Sequence, residues 1–389
     1  MINSKSRILF ITHHFLHGTG GGCYASRAYI NAFATLFNNV TLLYPFKKGM
    51  EAEHIIESVK KIPVTYEKSK FFKLLDLLCG RVHRYQNIKD IIDPGKFDIV
   101  VFDTSVVTYG IIDLFKNKGC KTIVIHHNYQ YEYFRDNTCF PLNIPTLFWC
   151  KKFEKEAVLK ADLNLTLTLQ DKDLLQNNYA INTGNISFEK IGVFEYEPRV
   201  MNYSQRRNST QITFVITGTL GSYQTYESLF HWFRKYYHHF REIFPNAKLV
   251  IAGRNPSKSL VEMLEANDNV KVIPNPTTMD DVLQYAQVYI CPTELGGGLK
   301  LRIMDGLSHG LPVITHKVSA RGYDDFLKLG YVQSYYDIDS FCKCLKTVKS
   351  TQYDSNEIIK SYEQIFSFHA GVSRLSNILN RYFDYKKDE

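Results

Sequence analysis

Short apolar runs alternate with amphipathic stretches along most of the chain, and this alternation most limits the folds open to it. In the first half the runs include RILFITHH (7–14), FDIVVF (97–102) and KTIVIH (121–126), separated by stretches with helical spacing. In the second half QITFVITGTL (211–220) and KLVIAGR (248–254) begin the same order. The sequence therefore predicts two α/β domains, each a Rossmann-like, doubly wound parallel sheet covered by helices.

The predicted domains meet at a polar segment, 195–211, whose lack of periodicity indicates a linker. We assign 1–200 to an N-terminal Rossmann-like domain and 201–366 to a C-terminal Rossmann-like domain. A last helix, 367–389, can pack back on the first domain. Ligands of doubly wound sheets bind beyond the carboxyl ends of the strands, so the two domains are expected to face each other across a cleft.

Composition and charge limit the cellular compartments and the partners that the sequence is compatible with. Eight cysteines form no CxxC pair, the N-terminus enters a strand without an apolar signal region, and no apolar run reaches the ~18–20 residues that span a bilayer. We therefore expect a cytoplasmic protein. The net charge of +8 favours anionic partners without choosing among nucleic acid, phosphates and an acidic membrane. Because no nucleic-acid-binding motif accompanies the charge, we expect no nucleic-acid partner.

The segment ELGGGLKLRIMDGLSHGLPVIT (294–315) predicts an anion site. A glycine run between a strand and a helix lets an anion approach unpaired backbone amides, and Lys300 and Arg302 add positive charge within one turn. Asp305 is placed to accept hydrogen bonds from ribose hydroxyls. The alternative is a flexible turn in which Arg302 and Asp305 form a surface pair. The amides of the proposed site are those of Gly296, Gly297, Gly298 and Leu299.

The second half resembles the GT-B glycosyltransferases, in particular the large retaining family that builds bacterial lipopolysaccharide, capsule and exopolysaccharide. The resemblance runs through 212–326 and rests on VITGTLGSYQTYESLFHWF, FPNAKLVIAGRNPS, NVKVIPN, VYICPTELGGGLKLRIMDGLSHGLPVIT and SARGYDDF. ADLNLTLTLQDKDLL and the strand that ends in two histidines are similar to the family's first domain. The resemblance implies an enzyme that moves a glycosyl group from a nucleotide-diphosphate sugar to an acceptor hydroxyl, with retention. It also implies that 1–200 is the acceptor domain and 201–366 the nucleotide-sugar donor domain.

The family usually carries two acids, eight residues apart, in this loop. Asp305 takes the second position, while the first falls on Gly297, as in a subgroup with a similar glycine triplet. Glu294 is a candidate replacement. The family's Arg and Lys after the first strand of this domain are absent here, so Arg254, Lys300 and Arg302 are the proposed substitutes. The donor-binding set is completed by Gly21, Gly22, Gly218, Thr219 and Asn275.

The first domain contributes HGTGGGCYAS (17–26), a glycine loop that does not match a dinucleotide fingerprint. In the resembled family this loop approaches the donor phosphate and sugar, and a tight turn is the alternative. Of the adjacent His126 and His127, the resemblance favours His127 beside the donor sugar. Asp103 ends a neighbouring strand and is assigned either to acceptor contact or to capping the next helix. The predicted catalytic residues are His127, Lys300 and Asp103.

In the reaction that the resemblance implies, a nucleoside diphosphate leaves with negative charge, and Lys300 and Arg302 can stabilise that charge without a metal ion. We therefore expect neither a metal nor another cofactor. The basic segment 46–84, with Phe71 and Phe72, suits either an anionic membrane that carries a lipid-linked acceptor or an ordinary core-facing pattern. Three alternatives to a glycosyltransferase stay open: a sugar-nucleotide epimerase or hydrolase, a non-catalytic nucleotide-sugar binding protein, and a nucleic-acid-binding protein.

Overall fold

The computed structural model describes residues 2–18, 20–65, 75–138, 140–141, 143–181, 186–201 and 211–385. The chain divides into two compact units. The first comprises Met1–Arg199 and Phe366–Glu389, and the second comprises Val200–Ile365. Phe71 and Phe72, which belong to the predicted basic segment, lie outside the described residues.

The first unit is built on a parallel sheet of seven strands in the order β3-β2-β1-β4-β5-β6-β7. The strands are β1 (Arg7–Thr12), β2 (Asn39–Phe46), β3 (Lys60–Thr65), β4 (Ile99–Asp103), β5 (Lys121–His126), β6 (Leu163–Thr166) and β7 (Phe188–Lys190). The helices are α1 (Gly21–Leu36), α2 (Ile112–Lys116), α3 (Gln130–Asn137), α4 (Asn143–Lys160) and α5 (Leu169–Tyr179). Short 3₁₀ turns occupy Ile88–Asp90, Pro94–Lys96 and Ser105–Thr108.

The second unit has a parallel sheet of six strands in the order β10-β9-β8-β11-β12-β13. The strands are β8 (Thr213–Gly218), β9 (Lys248–Gly253), β10 (Val270–Pro274), β11 (Val288–Cys291), β12 (Val313–His316) and β13 (Val332–Tyr335). The helices are α6 (Tyr223–Lys235), α7 (Tyr237–Ile243), α8 (Lys258–Glu265), α9 (Asp280–Leu283), α10 (Arg302–Ser308), α11 (Asp324–Lys328), α12 (Ile338–Ser350) and α13 (Ser355–Phe366). The predicted pair of α/β sheets is confirmed.

The central strands are buried on both faces, as their near-continuous apolar runs predict. The register of these strands also shows which residues are neighbours at the end of the sheet. Thr12 at the end of β1 pairs with Asp103 at the end of β4, and Asp103 pairs with Ile125 of β5. Because the strands are parallel, the polar residues that end β1, β4 and β5 lie together at one edge of the sheet.

Two predicted elements end earlier than expected. The helix predicted over 226–244 is divided at Tyr236, a turn residue with φ −116° and ψ −23° whose ring packs against Tyr335 and Phe341. The strand predicted over 163–169 ends at Thr166. Thr168 instead caps α5, because its side chain accepts a hydrogen bond from the backbone N–H of Asp171.

The last helix, α14 (Phe368–Phe383), belongs to the first unit and packs on α1. The Arg374 side chain donates to the Ile191 carbonyl at 3.0 Å, and the Tyr385 hydroxyl donates to the Leu36 carbonyl at 2.9 Å. Gly371 allows α14 to lie against the buried Phe194 ring, since a Cβ there would come within 2.1 Å of the ring. Among the helices of the described residues, none is both long and apolar enough to cross a bilayer.

We expect Gly371→Ala to destabilise the protein by about 1–3 kcal/mol, because the added methyl group overlaps the fully buried Phe194 ring. Alanine is otherwise the better helix former by about 1 kcal/mol, so the sign of the effect reports the contact. Ser373→Ala on the exposed face of α14 is the control and should change stability by less than about 0.5 kcal/mol. Denaturant unfolding measures both, and a Gly371→Ala protein as stable as the parent would contradict this packing.

Candidate functional site

Arg302 joins three segments at the carboxyl edge of the second unit's sheet. Its Nη1 atom donates to the Thr217 carbonyl at 3.4 Å and to the Thr293 hydroxyl at 3.2 Å, and both of its terminal nitrogens reach the Thr225 hydroxyl at 3.4 Å. Gly218 makes this possible, because a Cβ there would lie 2.6 Å from Nη1. Arg302 pairs with no carboxylate that the structure describes, so the surface pair with Asp305 is not formed.

The helix does not begin directly after the glycine loop, contrary to the prediction from the sequence. Gly296 and Gly298 adopt positive φ values of 80° and 69°, which only glycine adopts readily, and α10 begins at Arg302 rather than directly after Gly298. The Lys300 ammonium group folds back to donate to the Gly297 carbonyl at 3.1 Å and the Gly296 carbonyl at 3.3 Å. The residues between Gly298 and α10, including Leu299, form a loop, and the two cations stand at the end of this loop.

The two acids of this region occupy distinct settings. Asp305 lies in the first turn of the seven-residue α10, not two turns along a helix that begins at the glycines. Glu294 forms an ion pair with His231 of α6, and its backbone N–H donates to the Ser228 hydroxyl at 3.3 Å. A role for Glu294 as the missing first acid would therefore require its carboxylate to leave His231.

The remaining predicted donor residues lie in loops after β8, β9 and β10. Thr219 is exposed and closes a turn with Ser222, whose N–H donates to the Thr219 carbonyl at 2.9 Å. Arg254 is exposed, and its N–H donates to the Gly218 carbonyl at 3.2 Å. Asn275 has a φ of 48°, and its side chain accepts a hydrogen bond from the Asn255 N–H at 2.8 Å. The structure thus places these residues at one sheet edge.

In the first unit, Asp103 is the centre of a buried polar cluster. Its Oδ1 accepts from His127 Nε2 at 2.6 Å, and its Oδ2 accepts from the hydroxyls of Thr12, at 2.6 Å, and Ser26. Asp103 has no exposed surface and caps no helix, because the following 3₁₀ turn has Thr104 at its N-cap. The helix-capping role suggested for Asp103 is therefore wrong, while its full burial argues against acceptor contact and favours a role in orienting His127.

The two adjacent histidines of β5 and its following loop point to different partners. His126 Nε2 lies 2.9 Å from Asn164 Oδ1, within the sheet, and burial lowers the pKa of His126 to about 4. His127 instead stacks on His14, with ring centroids 5.2 Å apart. Only His127 thus joins the cluster at the sheet edge.

Burial dominates the protonation of this cluster. It lowers the pKa of His13 to about 4 and holds that of His14 well below its ordinary value, so both rings are neutral near pH 7. Burial alone would raise the pKa of Asp103, but the charge and hydrogen bond of His127, with smaller contributions from His14 and Ser26, bring that pKa below its usual value. Asp103 therefore remains a hydrogen-bond acceptor that fixes which His127 nitrogen carries the proton.

The glycine loop of the first unit is shaped by His14. A Cβ at Gly22 would lie 2.3 Å from the His14 ring, so this glycine is required by the ring beside it. Gly21 is the exposed first residue of α1, and Gly20 caps that helix without a side chain. Thr19 lies outside the described residues.

Two buried acids that the sequence analysis did not identify hold the chain just after His127. Glu154 of α4 accepts from the N–H groups of Gln130, at 2.6 Å, and Tyr131, at 3.3 Å. Asp171 of α5 accepts from the Tyr129 N–H at 2.9 Å. These carboxyl groups cap α3, whose own N-cap residue supplies no side-chain bond, and thereby fix the segment that positions His127.

A sequence signal for both acids existed. Glu154 lies on the same helical face as Cys150, Ala157 and Val158, all of them buried, so helical periodicity places it inside rather than in solvent. Asp171 follows Thr168 by three residues, the spacing of a helix cap.

We expect Glu154→Gln to change how stability depends on pH. Burial raises the pKa of Glu154 from 4.5 to about 8, so the folded protein holds this proton more tightly than the unfolded chain does. The contribution of this group is therefore fully present below pH 4.5 and is lost as the pH rises through about 8. Melting temperatures at several pH values should show the parent losing stability relative to Glu154→Gln between pH 5 and 9.

The exposed Glu262→Gln substitution is the matched control and should leave the pH profile of the parent unchanged. Parallel profiles for the parent and Glu154→Gln would show that Glu154 titrates as an ordinary acid.

Known proteins are similar to the second unit in sequence and to both units in fold. The family described as "Glycosyl transferases group 1" matches residues 211–348. No curated protein matches the sequence. Among solved structures, the lipopolysaccharide outer core galactosyltransferase WaaB in its apo form is 12% identical with a TM-score of 0.64, and the match covers 96% of this chain and 99% of that one.

Two further solved structures carry bound nucleotides. HepE of Anabaena in complex with UDP and glucose is 10% identical, with a TM-score of 0.60 over 96% of this chain and 99% of that one. The catalytic domain of starch synthase IV from Arabidopsis thaliana, bound to ADP and acarbose, is 12% identical, with a TM-score of 0.65 over 97% and 99%. These likenesses show the GT-B fold. In addition, the second unit is similar to the group 1 glycosyl transferases over residues 211–348.

Proposed function

We propose that this enzyme transfers a glycosyl group from a nucleotide-diphosphate sugar to an acceptor hydroxyl in bacterial surface-glycan synthesis, with retention at the anomeric carbon. The observation that carries the donor assignment is Arg302, a cation that, within the part of the chain the structure describes, is bound by neutral oxygens at a sheet edge. The similarity to WaaB, a lipopolysaccharide galactosyltransferase, supports the surface-glycan setting. The comparisons do not favour an epimerase, a hydrolase or a non-catalytic binding protein.

The leaving group of this reaction is a nucleoside diphosphate, which gains negative charge as the glycosidic bond breaks. Arg302 brings a charge that no carboxylate neutralises among the residues that the structure describes. Lys300 adds a second cation that is held at the loop by the Gly296 and Gly297 carbonyls. Because these groups are positioned before the reaction, their stabilisation of the leaving group requires little reorganisation.

The other site residues receive roles that follow from their settings. Asp305, in the first turn of α10, binds the ribose hydroxyls. His127 contacts the transferred sugar through Nδ1, because Asp103 occupies the other ring nitrogen. Asp103, Glu154 and Asp171 act through His127 and its following segment and touch no substrate.

We expect Arg302→Ala and Lys300→Ala each to weaken donor binding by about 10–100-fold, the loss typical of a charge-assisted hydrogen bond worth about 1.5–3 kcal/mol. Calorimetry across UDP-, GDP-, ADP- and TDP-sugars measures the effect after thermal stabilisation has found the preferred donor. Arg302→Lys keeps the charge but not the fork of hydrogen bonds, and should lose less affinity than Arg302→Ala.

Lys258→Ala, which removes an exposed cation from the same unit, is the matched control and should leave donor affinity unchanged. Unchanged donor affinity in both Lys300→Ala and Arg302→Ala would overturn the assignment. Incubation with the donor alone distinguishes the rival activities, because an epimerase or hydrolase alters the sugar without an acceptor.

We further propose that the enzyme is cytoplasmic and binds the inner membrane face peripherally through the start of α4. Three large apolar side chains are unusually exposed there: Phe140 at 78%, Ile144 at 61% and Phe148 at 54%. Lys152 lies 4.3 Å above the Phe148 ring, next to the exposed Lys151. Apolar side chains beside lysines suit an anionic lipid surface that presents a lipid-linked acceptor.

Replacing Ile144 and Phe148 together with Ser should abolish most binding to anionic vesicles, because the apolar contact is lost while the lysines remain. Co-sedimentation with vesicles of phosphatidylglycerol and phosphatidylcholine measures it. Tyr285→Ser, at an aromatic side chain 66% exposed in the second unit, is the control and should bind as the parent does. Failure of the parent to bind anionic vesicles would remove the membrane proposal and leave the donor assignment intact.

A further inference from the structure

Three side chains of the first unit bring metal-binding atoms together at the carboxyl edge of its sheet. One ligand atom each from His14, Asp103 and His127 lies within 4.8 Å of the other two. His14 follows β1, Asp103 ends β4 and His127 follows β5, so the parallel register of neighbouring strands creates the group. Two imidazoles and one carboxylate form a ligand set that suits divalent transition metals, Zn²⁺ in particular, better than it suits Mg²⁺ or Ca²⁺.

His14 supplies an independent observation. Its Nε2 atom is buried and has no hydrogen-bond partner among the described residues. Such an atom destabilises a folded protein by about 1–3 kcal/mol, and a bound ion is one of the few explanations for keeping it. The ring is held in place by Gly22, where a Cβ would overlap it, and by the His127 ring that stacks on it.

Asp103 has the surroundings of a metal-binding carboxylate. The hydroxyls of Thr12 and Ser26 both donate to its Oδ2, which leaves Oδ1 directed toward His127. Hydrogen bonds of this kind orient ligands in metal sites and raise their affinity. His13 is directed elsewhere: its Nδ1 lies 2.9 Å from the Thr104 hydroxyl, so it is not part of the ligand set.

We propose that His14, Asp103 and His127 bind one divalent transition-metal ion of the Zn²⁺ class. The ion takes the place of the hydrogen bond between His127 and Asp103: Nε2 gives up the proton that it donates to Asp103 and becomes a ligand, and the ring then carries its proton on Nδ1. Ligand atoms around a tetrahedral Zn²⁺ lie roughly 3.3 Å apart. His127 and Asp103, 2.6 Å apart, must therefore separate slightly, while His14 moves inward.

The ion would act on transfer as an inhibitor. It puts the His127 proton on Nδ1, the atom that the proposed function places against the sugar, so this atom can no longer accept a hydrogen bond from a sugar hydroxyl. The ion also lies in a different unit from Lys300 and Arg302. Metal binding itself does not depend on the proposed function; only the inhibition does. This site departs from our expectation that the protein has no metal, but it does not replace the cations proposed for the diphosphate.

Titration of the whole chain with Co²⁺ tests the site, because four-coordinate Co²⁺ absorbs visible light and substitutes for Zn²⁺. We expect one ion per chain in the parent and at least about tenfold weaker binding in His14→Ala and in His127→Ala. Ser26→Ala, which removes only a hydroxyl that orients Asp103, should weaken binding by about 10–100-fold. His54→Ala, at a half-exposed histidine paired with Glu197, is the control and should bind as the parent does.

Melting curves identify variants that fail to fold, and His14→Gln, which keeps most of the side-chain volume, replaces His14→Ala if needed. The absence of saturable Co²⁺ binding by the parent, or equal affinity in the parent and the His14 variant, would overturn the proposal. A donor-binding enzyme that binds no metal would leave the proposed function standing, and a metal-binding chain without transfer activity would leave this site standing.

Discussion

The hydrogen bonds that hold the Arg302 guanidinium group among neutral oxygens are the interaction on which the second unit's site depends. Thr217, Thr225 and Thr293 come from the end of β8, from α6 and from the loop after β11, and one side chain joins them. An arginine bound by carbonyl and hydroxyl oxygens keeps its full charge, which a carboxylate partner would have neutralised. The same contacts that order the loop therefore prepare it for an anion.

In the first unit, buried carboxyl groups rather than an arginine position the residues of the site. Asp103 orients the ring of His127, while Glu154 and Asp171 bind three successive backbone N–H groups just beyond it. Burial of acids is unfavourable unless their oxygens are hydrogen-bonded, and these oxygens are. The position of His127 is thus determined by strands and helices that are far apart in the sequence.

The sequence predicted the sheets well and the loops less well. Apolar runs such as that of β5 determine buried strands directly, because only a strand covered on both faces suits them. The start of α10 was misplaced because the sequence shows that Gly296 and Gly298 permit positive φ values but not that the chain adopts them. The break at Tyr236 was missed because the aromatic pattern continues across it.

The roles of side chains in the sites depended most on tertiary contacts. The position of Asp103 at a strand end was predictable, but its partners come from residues 77 and 91 positions away. Lys300 and Arg302 were identified as candidates from their place after the glycines, while the loop carbonyls and threonines that hold them could not be. Local pattern thus locates candidate groups, and only the assembled sheet edge shows what each of them contacts.

The central claim is that the diphosphate of the donor is bound where Lys300 and Arg302 meet the loop of Gly296, Gly297 and Gly298. A crystal structure of the enzyme soaked with its preferred nucleotide sugar tests it most directly. The account predicts diphosphate oxygens within hydrogen-bond distance of the Arg302 guanidinium and the Lys300 ammonium groups. A nucleotide sugar bound elsewhere, with both cations still engaged only by the protein, would contradict it.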